Sequence, residues 1–284
     1  MGVDTRLVVY AYDKQTAEKA CTAAFERIAF LDTMMSDYRK NSELNLLSDG
    51  AGGPAKKVSP ELFKVLWVAQ EISSRSDGMF DVTSGPEVLL WRKARKTHVL
   101  PAPEDVERAR KLVGWKMMTL DKRNQTVKLA IPGMRLDLGA IAKGYADDEA
   151  QTVLKRFGIK HALVEMGGDI VVTGPPPGTK GWTIEVPNAD TEHGNVEIKV
   201  ANCAVSTSGD TEQFVEIGGK HYSHVVNPHT GMASTTRVEV TILSPNGLIA
   251  DPLSTALTLV SDETRKGLLR TYRGTKMYLR VLKN

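Results

Sequence analysis

The chain has 284 residues, 41% of them hydrophobic and 25% charged, and a net charge of +3. That is enough material to bury a sizeable core in one large domain or two modest ones. The basic excess is slight and unclustered, which argues against a nucleic-acid binder, and no apolar run reaches the length of a membrane-spanning helix.

The first strand lies in "RLVVYAY" and ends near Tyr12. Residues 14–38 then place Cys21, Ala24, Phe25, Ile28, Leu31 and Met35 at helical spacing, predicting a long amphipathic helix with a buried thiol. Cys21 and Cys203, the two cysteines, show neither metal-like spacing nor a sign of pairing. Residues 41–58, "NSELNLLSDGAGGPAKKV", are polar and glycine-rich and read as a surface loop. "SPELFKVLWVAQEISSRSDG" reads as a second helix, with Ser59 as N-cap, Pro60 in the first helical position and Gly78 closing it. "FDVTSGPEVLLW" reads as a short strand turning at Gly85-Pro86. The basic run "WRKARKTH", residues 91–98, reads as a solvated loop or helix face, with an anionic partner as the alternative. "PAPEDVERARKLVG" is a short helix, and "MMTLD" pairs with "TVKLAI" across the turn "KRNQ".

In the second half, "MRLDLGAIAKGYADDEAQTVLKRFG" runs strand, glycine turn, helix. Two strands meet at Gly167-Gly168, and "GWTIEVPN" and "VEIKVANCAVSTSG" add more. "EQFVEIGGKHYSHVVN" alternates on both sides of Gly218-Gly219, a pair suited to a primed hairpin turn. "RVEVTIL" is a strand, a helix opens at Asp251, and "KMYLRVL" is the last strand. Hairpin-linked strands interleaved with helices predict an α+β fold with mixed or antiparallel sheets and flanking helices.

Three stretches carry candidate chemistry. In "LDLGAIAKGYADD", the turn at Gly139 leaves backbone groups open. A tight packed turn is the plainer reading; the alternative is a ligand site, in which its amides and Lys143 suit a phosphate and a carbonyl such as that of Ala140 suits a hard cation. In "IADPLSTALTLVS", Asp251 followed by Pro252 has the form of an N-cap. On spacing alone the cap is the favoured reading; the alternative is that Thr255, one turn on from Asp251, puts carboxylate and hydroxyl on one helix face as a partial shell for Mg2+. "HYSHVVNPHTG" carries three of the six histidines without zinc spacing; His224 reads as a strand residue, structural or catalytic. "STSGD" reads as an ordinary hairpin loop.

Eight stretches, "MGVDTRLVVYAY", "MMSDYRKNSEL", "GMFDVTSGP", "LDLGAIAKGYADD", "EMGGDI", "VSTSGD", "YSHVVNPHTG" and "ADPLSTAL", resemble in order the ApbE-type FAD:protein FMN transferases. The resemblance implies one ApbE-like domain over residues 1–284, with an FAD cleft between two subregions. It implies Mg2+-dependent transfer of FMN from FAD to a threonine hydroxyl of an acceptor protein, with release of AMP. It places Mg2+ on the Ala140 carbonyl, Asp251 and Thr255, with catalytic roles for Asp251 and His224. Flavin-nucleotide contacts fall on Met1, Tyr38, Met79, Phe80, Asp81, Asp137, Lys143 and Val226, Tyr38 being the neighbour of the flavin ring. Pro252 stands where many members have alanine, and suits a first helical position. Implied acceptors are redox pumps or extracellular reductase subunits, not nucleic acid. Members are commonly exported or lipid-anchored, so the resemblance implies a periplasmic or extracytoplasmic, membrane-anchored protein whose leader is not visible in these residues. An FAD pyrophosphatase releasing FMN and AMP, and a non-catalytic FAD-binding protein, are the competing readings.

Overall fold

A computed structural model describes residues 2–187, 194–209 and 214–282. Strand β1 (Thr5–Tyr10) leads into helix α1 (Lys14–Met35), whose first turn is capped by Asp13. Ala20, Ala24, Ile28, Leu31, Met34 and Met35 form its buried stripe. Phe25, expected in that stripe, is 43% exposed, because the stripe turns past it to Ala24 and Ile28. Residues 41–58 are not a single loop: Ser42 accepts a hydrogen bond from the Asn45 amide and starts helix α2 (Glu43–Asp49), and β2 (Lys56–Lys57) follows. Helix α3 (Pro60–Arg75) begins as expected, with Ser59 as cap and Pro60 in the first turn.

The "FDVTSGPEVLLW" stretch forms no strand pair beyond an isolated bridge between Ser84 and Arg135. Gly85-Pro86 starts helix α4 (Gly85–Thr97) instead of turning the chain, since proline costs nothing in a first turn that has no amide partner. Helix α5 (Pro103–Arg110), strands β3 (Met118–Asp121) and β4 (Thr126–Leu129), and helix α6 (Ala142–Arg156) follow. The strand expected before Gly139 reduces to that one bridge at Arg135.

Strands β5 (His161–Met166), β6 (Asp169–Val172), β7 (Trp182–Pro187), β8 (Asn195–Val200) and β9 (Cys203–Gly209) come next. The hairpin β10 (Phe214–Ile217) and β11 (Lys220–Ser223) turns at Gly218-Gly219, and the short pair β12 (Val226–Asn227) and β13 (Met232–Ala233) follows. Strand β14 (Val238–Ser244) leads to helix α7 (Gly247–Thr258), then to helix α8 (Asp262–Thr271), which the sequence reading passed over, and to β15 (Lys276–Val281).

The centre is a six-stranded antiparallel sheet in the order β1-β5-β6-β9-β14-β15. Strand alternation divides its residues between two cores. Ala162, Val164, Val171, Ala204, Val240 and Ile242 face α1, α6 and α7, whereas Leu163, Val172 and Val205 face the β7–β8 hairpin with Trp182, Ile184 and Val186. A third, smaller cluster packs Trp91 and Ala94 of α4 on Val215, Tyr222, Val226 and Ala233. The fold is α+β with antiparallel sheets and flanking helices, as expected. Among the described residues no helix is long and apolar enough to cross a membrane.

Candidate active site

The site begins where α6 and α7 touch. Gly144 and Gly247 approach so closely that a Cβ on either would run into the other's backbone carbonyl. Asp148, one turn along α6, accepts hydrogen bonds from the amides of Gly247 (2.8 Å) and Leu248 (2.9 Å), and Asn246 accepts from Ile249 (3.0 Å). Asn246 and Asp148 therefore cap α7. Asp251 and Pro252 lie inside the helix, so the N-cap reading of Asp251 is overturned, and Pro252 is not a first-turn proline.

Relieved of capping, the Asp251 carboxylate is 3% exposed and points across to α6. Its Oδ2 accepts the Gly144 amide at 3.0 Å, and Lys143 Nζ lies 3.4 Å from Oδ1 and 3.5 Å from Oδ2. The Gly144 amide would ordinarily serve the carbonyl four residues back, that of Ala140. It serves Asp251 instead, and no described backbone amide donates to the Ala140 carbonyl. The one carbonyl expected to face a cation is thus left with open lone pairs.

Lys143 Nζ also donates to the Gly139 carbonyl at 3.1 Å and pairs with Asp169 Oδ2 at 2.8 Å. Burial works against its charge, but Asp169 and Asp251 outweigh it and hold the ammonium above its ordinary range. Burial, then the Asp169 charge, push the Asp251 carboxyl up, against the pull of Lys143 and the Gly144 amide. Asp169 is held by the hydroxyl of Ser206, the residue directly opposite it in the β6–β9 register. Two residues on, on the same face, the Ser208 hydroxyl lies 3.1 Å from that of Thr255. Asp147, wholly buried, is pushed well above the ordinary carboxyl range by burial and then by Asp169.

A second group stands on the 137–139 turn. Asp137 Oδ1 accepts the Gly139 amide at 2.7 Å, and its Oδ2 takes an ion pair from Arg92 at 2.7 Å. Burial raises the Asp137 carboxyl and Arg92 lowers it. The Tyr38 ring is 74% exposed, with the Arg92 guanidinium 4.5 Å from its centroid. Phe80 and Asp81 are buried and Met79 packs at the core's edge. Asp81 accepts from the Thr83 amide and hydroxyl and the Trp115 amide, so it ties the 80–83 segment to the 114–115 turn.

The structure therefore brings together Ala140, Lys143, Asp251 and Thr255 at one place, and Tyr38 with Asp137 beside it. His224 and Val226 belong to the small lobe on α4. His224 is half-buried in the bend after β11, one residue past the strand in which it was expected. Met1 and Asp210 lie outside the described residues. Open depressions of about 410 Å³, beside Tyr222 and Thr258, and 450 Å³, beside Asp148 and Asn246, lie on other surfaces than the Lys143–Asp251 contact. Asp169, Ser206, Ser208 and Arg92 were not expected in the site; the alternation of Ala204, Ser206 and Ser208 was the available signal for two of them.

Among the described residues there is no cluster of three or more His, Cys, Asp or Glu able to hold a metal. The donor set here is instead a carbonyl, one carboxylate and one hydroxyl, all hard oxygens. Mg2+ uses few protein ligands and keeps waters and substrate phosphates for the rest, so the open Ala140 carbonyl and the buried Asp251 carboxylate fit it.

The sequence model of the ApbE family matches residues 1–279. An FAD:protein FMN transferase from Vibrio cholerae is 31% identical over 256 residues, spanning 88% of this chain and 75% of that one. The structure of the flavin transferase ApbE from Vibrio cholerae superposes with a TM-score of 0.86 at 28% identity, covering 100% of this chain and 92% of the other. The apo flavinyl transferase ApbE of Pseudomonas stutzeri superposes with a TM-score of 0.85 at 25% identity, covering 99% and 92%.

Proposed function

The chain belongs to the ApbE family, and on that premise we propose that it is an FAD:protein FMN transferase that uses Mg2+ to move FMN from FAD onto a threonine hydroxyl of an acceptor protein. The observation that carries the reading is the convergence of the open Ala140 carbonyl, Lys143 and Asp251 at the α6–α7 contact. We further propose one catalytic domain over the whole chain and an acceptor of the redox-pump or extracellular-reductase kind, reached outside the cytoplasm.

In the reaction the threonine oxygen forms a bond to the phosphorus of the FMN half. The bridging P–O bond breaks, AMP leaves with its oxygen, and the threonine proton passes to a nearby base. Ala140, Asp251 and Thr255 would hold Mg2+, which when bound neutralises pyrophosphate charge and stabilises the AMP leaving group. Lys143, kept charged by Asp169, adds a fixed positive charge on the same side. Ser208 orients the Thr255 hydroxyl. Tyr38 offers an exposed ring for the flavin to stack on, with Met79, Phe80 and Asp81 shaping the adjacent segment and Val226 the opposite lobe. His224 is the proposed proton acceptor for the incoming threonine.

The test is to incubate the protein with FAD, Mg2+ and an acceptor carrying a Ser/Thr-Gly-Ala-Thr-like segment. Flavin fluorescence that stays with the acceptor on a denaturing gel is the expected result. Free FMN with AMP identifies a pyrophosphatase, and unchanged FAD identifies a binding protein; either outcome overturns the transferase reading.

A further inference from the structure

We propose that Arg92 is a positioning residue for the flavin nucleotide: it locks the exposed Tyr38 ring to Asp137, the aspartate that orders the 137–139 turn. The proposal rests on the transferase reading for what binds, and on the geometry for how it is held.

Arg92 sits mid-way along α4, directly after Trp91, which is wholly buried and donates its indole N–H to the Gly231 carbonyl at 2.9 Å. The base of the Arg92 side chain is thereby fixed. Its guanidinium then makes three contacts. One nitrogen reaches Asp37, a second reaches Asp137 Oδ2 at 2.7 Å, and the plane lies 4.5 Å from the Tyr38 ring centroid. Asp137 uses its other oxygen on the Gly139 amide, 2.7 Å away, so the chain of contacts ends at the residue before Ala140.

An exposed tyrosine on its own has two free faces and several open rotamers. Here one face is occupied by a planar cation that two carboxylates hold in orientation, which leaves the other face for a planar ligand. A guanidinium is suited to this because it is flat, stacks, and donates in two directions at once; an ammonium supplies the charge without the plane or the fork. Arg92 thus links the exposed aromatic ring to the turn that leads into Ala140. No element other than α4 supplies that link among the described contacts.

The test is FAD titration of the whole protein without divalent cation, read by flavin fluorescence. The protein carrying Arg92→Lys is expected to lose about tenfold in affinity for FAD and to quench the flavin less at saturation. Tyr38→Leu should lose a similar amount, and the Arg92→Lys/Tyr38→Leu double variant little more than either, because the arginine acts through the tyrosine. Equal affinity and equal quenching in wild type and Arg92→Lys overturn the proposal, as do fully additive losses. A lowered melting temperature with unchanged quenching also overturns it, because it marks a structural role only. If Arg92→Lys does not fold, Asp37→Asn, which removes one anchor of the guanidinium, decides by the same readings. Failure of the unmodified protein to bind FAD even after Mg2+ is added overturns the transferase reading itself, an outcome distinct from all of these.

Discussion

Two buried carboxyls serve opposite ends. Asp251 has a partner for each oxygen, and the partners belong to a neighbouring helix. Asp251→Ala removes the carboxylate without removing a cap, because Asn246 and Asp148 fix the helix start. The expected cost is one orphaned amide, about 1–3 kcal/mol, so the variant should fold by circular dichroism, while transfer to an acceptor and Mg2+ binding by calorimetry are lost. Glu87 is different. It is wholly buried, neither carboxyl oxygen has a hydrogen-bond partner among the described residues, and its carboxyl is pushed up to about 8 by burial, then by Asp81, against the pull of Arg110. Below its ordinary value of 4.5 both folded and unfolded chains carry the proton and the group contributes nothing. Between there and about 8 the unfolded chain releases the proton and the folded chain keeps it, so stability falls as pH rises, by about 1.4 kcal/mol per pH unit at most. Glu87→Gln cannot ionise. Its melting temperature should exceed that of the unmodified protein by a margin that widens from pH 5 to 8 and then levels off. A constant margin across that range would mean that Glu87 is not held protonated.

At the scale of elements, the α6–α7 contact decides whether a site exists. It was only half legible. The apolar face of α7 shows in the sequence, and Asp-Pro at 251–252 has the local form of a helix start, which is why the cap reading was natural. The true cap is Asn246, five residues before Asp251, and the helix start depends also on Asp148, a residue of another helix that no local pattern announces. The same limit explains Gly85-Pro86, which reads as a turn until the bridge between Ser84 and Arg135 is known, and the short α2, hidden in a glycine-rich run although its Ser42 cap was in plain view. Two glycine substitutions separate contact from propensity. Gly144→Ala drives a methyl into the Gly247 carbonyl and against Asp251, so the helices must part; destabilisation of about 2 kcal/mol or more is expected, with weaker Mg2+ binding. Gly267→Ala, inside α8 with open space around it, should instead stabilise by about 0.5–1 kcal/mol. Denaturant melts of both variants check the pair, and a neutral Gly144→Ala would show that the close approach is not maintained in solution.

Across the whole molecule, the site joins the α6–α7 contact to residues that strand register sets beside it. The residue types were readable: the 139–143 turn, Asp251 and Thr255 stood out by spacing. Asp169 and Ser206 did not, because their pairing requires the β6–β9 register, and Ser208 reads as loop until β9 is seen to carry it beside Thr255. A site assembled this way couples ligand binding to the stability of the whole fold. A ligand that binds only the folded chain stabilises it by about 2.7 kcal/mol at a hundred times its dissociation constant, and about 1 kcal/mol shifts the melting temperature of a chain this size by about 2–4 °C. Saturating FAD with Mg2+ should therefore raise the melting temperature by about 5–10 °C, with part of the rise present for FAD alone and the rest appearing only when the cation is added. In Asp251→Ala the first part should persist and the second vanish, because Tyr38, Arg92 and Asp137 are untouched while the buried carboxylate is gone. A full cation-dependent rise in that variant would place the metal elsewhere and remove Asp251 from its proposed role; loss of both parts would mean that the nucleotide pocket itself depends on the α6–α7 contact.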